Sequence, residues 1–192
     1  MRLFAAVLPP PERLDELGQV VDRLQRLPGA GGVRWTSRPG WHLTLAFMGE
    51  VEEAVVPELR ARLERAASRT APFPLRLHGG GHFGRRALWA GVAGDLDALR
   101  LLAERSGAAA RRAGIETEEH RRYRAHLTVA RGRGDGMDTG PFLEVLDGFE
   151  GGRWEVAELV LVRSSLPVSG VRGEQPRYER VGGWALGGNG AG

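Results

Sequence analysis

Residues 42–46, His-Leu-Thr-Leu-Ala, return as residues 126–130, His-Leu-Thr-Val-Ala. The histidines stand 126 − 42 = 84 residues apart, and each heads the pattern His, aliphatic, Thr, aliphatic, Ala. Both stretches, Trp41–Phe47 and Ala125–Arg131, alternate polar with apolar side chains and therefore read as β-strands. Successive side chains on a strand point to opposite faces. His42 then shares a face with Thr44, and His126 with Thr128, while Leu43, Leu45, Leu127 and Val129 turn to the core. A lone His-x-Thr is usually a half-exposed polar face. Duplication of a fold would preserve the aliphatic positions, but it would not require His and Thr to recur at the same two. Two such strands facing each other make a four-point site for a phosphate.

The surrounding chain supports a doubled architecture. Leu3–Leu8 reads as a short strand closed by Pro9, Pro10 and Pro11, and Glu12–Leu27 as an amphipathic helix with Leu14, Leu17, Val20, Val21, Leu24 and Leu27 inward. After the first His strand, which closes at Gly49, residues 51–68 read as a second helix. Phe73–Leu77 reads as an edge strand because of Pro74, and Gly79–Arg86 as a flexible basic loop. A second cycle follows: a strand at Ala87–Val92, then a helix at Asp95–Ala113 with Leu96, Leu99, Leu102 and Ala103 inward. A charged link at Glu116–Arg124 leads into the second His strand. A Gly- and Asp-rich loop at 132–140, a short helix at Pro141–Leu146, one strand at Trp154–Val162 and a last strand at Tyr178–Leu186 complete the chain. Leu3 to His42 spans 39 residues and Leu88 to His126 spans 38, which points to an internal duplication of about 80 residues. One two-lobed domain is expected over 1–186, with its His strands across a shared groove, followed by a disordered glycine-rich tail at 187–192.

Composition removes whole classes of chemistry. The chain has no cysteine, so disulfides, thiolate nucleophiles and cysteine-ligated zinc are excluded. All 27 basic residues are arginine, so a nucleotidyl-lysine, a P-loop lysine or a Schiff base is impossible. Net charge is +3, a mild bias toward anionic partners, and arginine forks suit phosphate. No apolar run approaches the ~18 residues of a membrane span. The apolar start, Leu3–Leu8, is too short for a secretory signal, so the cytoplasm is the expected location.

The paired motifs, with Arg34-Trp35 before the first and Phe47-Met48-Gly49-Glu50 after it, resemble those of the 2H phosphoesterases, the RNA 2',3'-cyclic phosphodiesterases also called 2'-5' RNA ligases. Leu88–Val92, Ala130-Arg131, Val160–Leu166 and Tyr178 extend the resemblance over almost the whole chain. One departure is Ala125, where that family commonly carries proline. The resemblance implies an α+β, two-lobed, pseudo-twofold fold whose antiparallel sheets line a central groove with helices outside. It also implies hydrolysis of RNA 2',3'-cyclic phosphate ends to 2'-phosphate ends, with 2'-5' ligation as an ATP-independent reverse reaction. His42 would be the proton donor to the leaving 3' oxygen, and His126 the proton acceptor from water. Thr44 and Thr128 would bind non-bridging oxygens. No cofactor or metal is implied, and the partners would be RNA ends or nucleotides with a cyclic phosphate, met by a monomer.

Two arginines compete as substrate contacts. Arg124 shares parity with His126, whereas Arg131 has the opposite parity and needs a bulge or a strand end to reach the groove; the resemblance favours Arg131. His78 and His82 imitate metal ligands but read as surface residues, His120 reads as solvated, and the five tryptophans and Phe47 read as core. The alternatives to an RNA-opening enzyme are a nucleotide- or RNA-end-binding module with little turnover, or a phosphodiesterase for small cyclic nucleotides.

Overall fold

The structure is a computed structural model that describes residues 1–117, 123–171 and 173–188. In chain order it contains β1 (Arg2–Val7), α1 (Pro11–Gln25), β2 (Val33–Trp35), β3 (Leu43–Glu50), α2 (Val56–Ser68), β4 (Phe73–Phe83) and β5 (Ala87–Gly94). There follow α3 (Leu96–Arg112), β6 (Leu127–Gly132), α4 (Gly140–Asp147), β7 (Trp154–Val156), β8 (Glu158–Ser165) and β9 (Arg177–Ala185).

The strands form two antiparallel sheets, ordered β3-β1-β8-β9 and β2-β6-β5-β4-β7. In each, the opening strand of one half pairs with that half's His strand, β1 with β3 and β5 with β6. The third strand comes from the other half: β8 lies beside β1, and β4 beside β5. The two lobes are therefore interlocked through their sheets.

The helices follow from their apolar stripes. In α1, Leu17, Val20, Val21 and Leu24 are buried and Leu14 partly so, as is Leu27 just past its end. Fully burying a leucine such as Leu17 stabilises the fold by about 1.5–3 kcal/mol. α3 starts at the Asp95 cap, whose carboxylate accepts from the Ala98 amide at 3.0 Å. Leu99, Leu102 and Ala103 point inward as expected, but Leu96 sits in the first turn and is 47% exposed. α1 and α4 pack on β4, while α2 and α3 pack on each other and on the β3 sheet. The other face of that sheet carries a smaller cluster, Phe4, Ala6, Val160 and Val162, against which Phe47 and Tyr178 rest. Among the described residues no helix is long and apolar enough to cross a membrane.

Four elements differ from their sequence reading. β4 runs on through the glycine stretch to Phe83 and lies between β5 and β7, so it is neither an edge strand nor followed by a loop at 79–83. Pro74 is tolerated because it lies just before the β4–β5 register, which begins at Leu75, and on that side its carbonyl accepts from Asp95 N. Space is short at two of these glycines and at Gly91 opposite them: a Cβ on Gly80 would lie 2.8 Å from Leu146, one on Gly81 2.3 Å from the Trp89 ring, and one on Gly91 2.5 Å from the His78 carbonyl. Trp154–Val162 is two strands, β7 and β8, in different sheets. The inward parity switches from Trp154 and Val156 to Leu159 and Leu161, and a break at Ala157 makes that switch possible. The second helix begins at Val56, after a short 3-10 turn at Glu53–Val55. Finally, Gly187 is tied by its amide to Ala67 O at 3.1 Å, while residues 189–192 of the expected tail and His120 lie outside the described residues.

Candidate active site

Each His stands just before its strand and each Thr inside it. Thr44 pairs with Ala6, and Thr128 with Trp89. Immediately after each Thr the register slips, leaving one extra residue, Leu45 on β3 and Val129 on β6. A bulge resets the alternation of faces. On β6, Val129 and Ala130 are both buried and Arg131 returns to the face of Thr128. This settles the parity conflict: the bulge is what brings Arg131 to the groove. On β3 the equivalent position is Phe47, half-buried, with the Arg2 guanidinium 4.8 Å above its ring.

His42, Thr44, His126, Thr128 and Arg131 all line one cavity of about 340 Å³. The sheet with β3 supplies one wall and the sheet with β6 the other. Arg34, Trp35, Thr36 and Tyr178 complete the rim, together with Leu166, Glu174 and Gln175 from the β8–β9 connection.

The two imidazoles occupy different environments. His42 stacks on Phe4 with ring centroids 4.6 Å apart and meets the edge of Tyr178 at 5.2 Å. Burial, and then the proximity of His126, lower its pKa to about 4. That second cause means the two rings sense one another across the groove. His126 is flanked by Phe83 at 4.9 Å and Trp89 at 6.0 Å. Its Nδ1 lies 2.7 Å from the Arg124 carbonyl. A carbonyl only accepts, so Nδ1 carries the proton and Nε2 is the basic nitrogen of the neutral ring.

Tyr123, half-buried and with its phenol pKa pushed up by desolvation, donates to the Thr44 carbonyl at 3.1 Å and so ties the approach to β6 onto β3. Burial also raises the Tyr178 pKa, opposed by the positive charges of Arg131 and Arg2.

Arg124 is placed differently from Arg131. Its side chain is exposed and lines a neighbouring surface pocket with His78 and Asp147, while its backbone carbonyl orients His126. It precedes the strand, so strand parity does not apply to it. His78 lies 3.9 Å from Glu150, and His82 contacts the Gly84 carbonyl at 2.8 Å. Among the described residues no cluster of three or more His, Asp or Glu side chains is placed to hold a metal. Trp41 and Trp154 are buried in the core; Trp184 is half-buried there beneath Arg60. Trp35 packs on the core and also lines the cavity rim, whereas Trp89, read as core, is half-buried against Phe83 and His126. Sequence reasoning missed Phe4, Phe83 and Arg34 as site residues. The alternation along β1, with Leu3, Ala5 and Val7 on one face and Phe4 and Ala6 on the other, carried the signal for Phe4.

Comparison with known proteins agrees with this geometry. The family model described as LigT-like phosphoesterase matches residues 7–94. The RNA 2',3'-cyclic phosphodiesterase of Thermus thermophilus is 33% identical, covering 95% of this chain and 96% of its own. A crystal structure of a Thermus thermophilus protein superposes with a TM-score of 0.76 at 27% identity, covering 98% of this chain and 100% of that one. That of E. coli LigT complexed with 3'-AMP gives 0.73 at 26% identity, covering 96% of each. With both motifs on one cavity and a relative aligned along nearly its full length, the chain belongs to the 2H phosphoesterases, in the LigT-like family.

Proposed function

We propose that this protein opens 2',3'-cyclic phosphate ends of RNA, without a metal, by acid–base catalysis between His42 and His126. The observation that carries this reading is the meeting of two imidazole–hydroxyl pairs on one cavity, one from each sheet. His126 Nε2 takes the proton from a water whose oxygen attacks phosphorus. The bond from phosphorus to the 3' oxygen breaks, and His42 protonates that oxygen, leaving a 2'-phosphate and a free 3'-hydroxyl. The proton that His126 holds on Nδ1 stays against the Arg124 carbonyl throughout. Thr44, Thr128 and Arg131 stabilise the charge that grows on the non-bridging oxygens.

His42 by itself is neutral at pH 7, because its pKa is lowered to about 4. The anionic phosphate favours the imidazolium, so substrate itself charges the acid. With the 5'-hydroxyl of a second RNA in the place of water, the same displacement joins the two ends by a 2'-5' bond without ATP. Both halves of the site come from one chain, which supports a working monomer, and an RNA substrate supports a cytoplasmic one. The repetition of about 80 residues we read as a duplication that built both halves of a single domain.

The test is a product assay on an oligonucleotide ending in 2',3'-cyclic phosphate, with chelator present. Wild type is expected to yield the 2'-phosphate end. His42→Ala and His126→Ala should each lose at least ~10²-fold. Full activity in either variant overturns the assignment.

A further inference from the structure

On the opposite side of the β3 sheet from the cavity, α2 and α3 pack together and leave a groove of about 440 Å³. Leu43 and Leu45 turn toward these helices while Thr44 faces the cavity, so the sheet itself separates the two sites. The groove is lined by the apolar side chains of Ala66, Leu101, Ala108 and Ala109 and by five guanidinium groups against one carboxylate, Glu104. Arg62, Arg65 and Arg69 recur at i, i+3 and i+7 along α2 and its end; Arg105 and Arg112 stand two turns apart on α3.

Two of the five are structurally engaged. Arg62 pairs with Glu58 at 2.6 Å, and Arg105 donates to the Arg69 carbonyl at 2.7 Å and to Thr70 at 2.9 Å. Glu104 is drawn toward Arg100, at 3.9 Å. Among the described residues, the side chains of Arg65, Arg69 and Arg112 make no ion pair. Like charges held side by side repel unless an anion lies between them. The arginine row from 62 to 69 covers about 10 Å at the rise of a helix, longer than one phosphate. Guanidinium forks prefer phosphate oxygens.

From this we infer that the α2–α3 groove is a secondary docking surface for the phosphate backbone of single-stranded RNA whose 3' end occupies the cavity. The inference rests on the RNA reading above. Because the strand must pass around the sheet, the surface acts only on chains longer than a few nucleotides.

The experiment measures binding of fluorescein-labelled RNA ending in 2'-phosphate, as a dinucleotide and as a 20-mer, across a series of NaCl concentrations. It compares wild type with the triple variant Arg65→Ala, Arg69→Ala, Arg112→Ala in the full chain. For the 20-mer, the slope of log affinity against log salt should shrink by about 2, at about 0.7 per lost phosphate contact, with affinity at low salt falling at least ~10-fold. The dinucleotide should bind both proteins alike, and turnover of a nucleoside 2',3'-cyclic phosphate, which also reports correct folding, should be unchanged. An unaltered 20-mer slope overturns the proposal, as does a groove that binds polyglutamate and not RNA. If wild type fails to open the ring while the slope still changes, the catalytic reading falls and the docking surface stands. If the ring opens and the slope does not move, the reverse holds.

Discussion

His42 combines two demands that pull against each other. In the proposed mechanism it must carry a proton to the leaving oxygen, yet Phe4 and Tyr178 enclose it and His126 disfavours its charge. Its pKa of about 4 in the folded chain lies below the 6.5 of the open ring. Below pH 6.5 the unfolded chain therefore binds the proton first, so stability falls as pH drops from 6.5 toward 4 and levels off beneath that. The loss amounts to roughly 3 kcal/mol at most. Urea unfolding at pH 7 and pH 4.5 measures it, and His42→Gln, which cannot titrate, should flatten this component of the slope. Histidine NMR should place the free His42 near 4 and move it upward on adding inorganic phosphate; a value that ignores phosphate would sink the idea that substrate charges the acid. None of this tuning was legible in the sequence. The residues were, because His and Thr recur at two matched positions, but the partners Phe4 and Tyr178 reach His42 only through strand pairing.

At the level of strands, the decisive devices are irregularities. Period-two reading places His and Thr together correctly and cannot see an inserted residue, because a bulge exists only relative to a partner strand. Leu45 and Val129 are such insertions, and the second one turns Arg131 from the core side to the phosphate side. The run of glycines at 79–81 misled for a related reason: glycine signals a loop when seen alone, but here Gly80 and Gly81 clear room for Trp89, Leu146 and the neighbouring backbone inside a strand, while Gly79 takes a left-handed φ of 62°. Gly91→Ala puts a methyl group 2.5 Å from the His78 carbonyl, a contact with backbone that cannot swing away. Overpacking of that kind should cost about 1–3 kcal/mol by urea unfolding. Ala at Gly31, which has open space around it, should cost much less. The helices, in contrast, were legible in place and inward face, since their stripes of leucine and valine depend on local spacing alone, although the start of α2 was read five residues early.

For the molecule as a whole, strand exchange between halves sets the folding unit. β4 completes the sheet built on β5, and β8 completes the sheet built on β1. A fragment ending after β4 keeps β1 and β3 but lacks β8, and leaves β4 without β5. We expect a 1–86 fragment to show no dispersed amide spectrum alone, to gain one when mixed with 87–192, and the intact chain to unfold in one transition by both circular dichroism and tryptophan fluorescence. A stable isolated half would contradict the interlocked arrangement. Tyr123 adds a further tie, its hydroxyl resting on the Thr44 carbonyl from across the divide. We expect a joint pinned in this way not to hinge. The gap in which phosphorus would sit keeps a set width, so molecules enter and leave along its length, past the β8–β9 connection, rather than by the jaws parting.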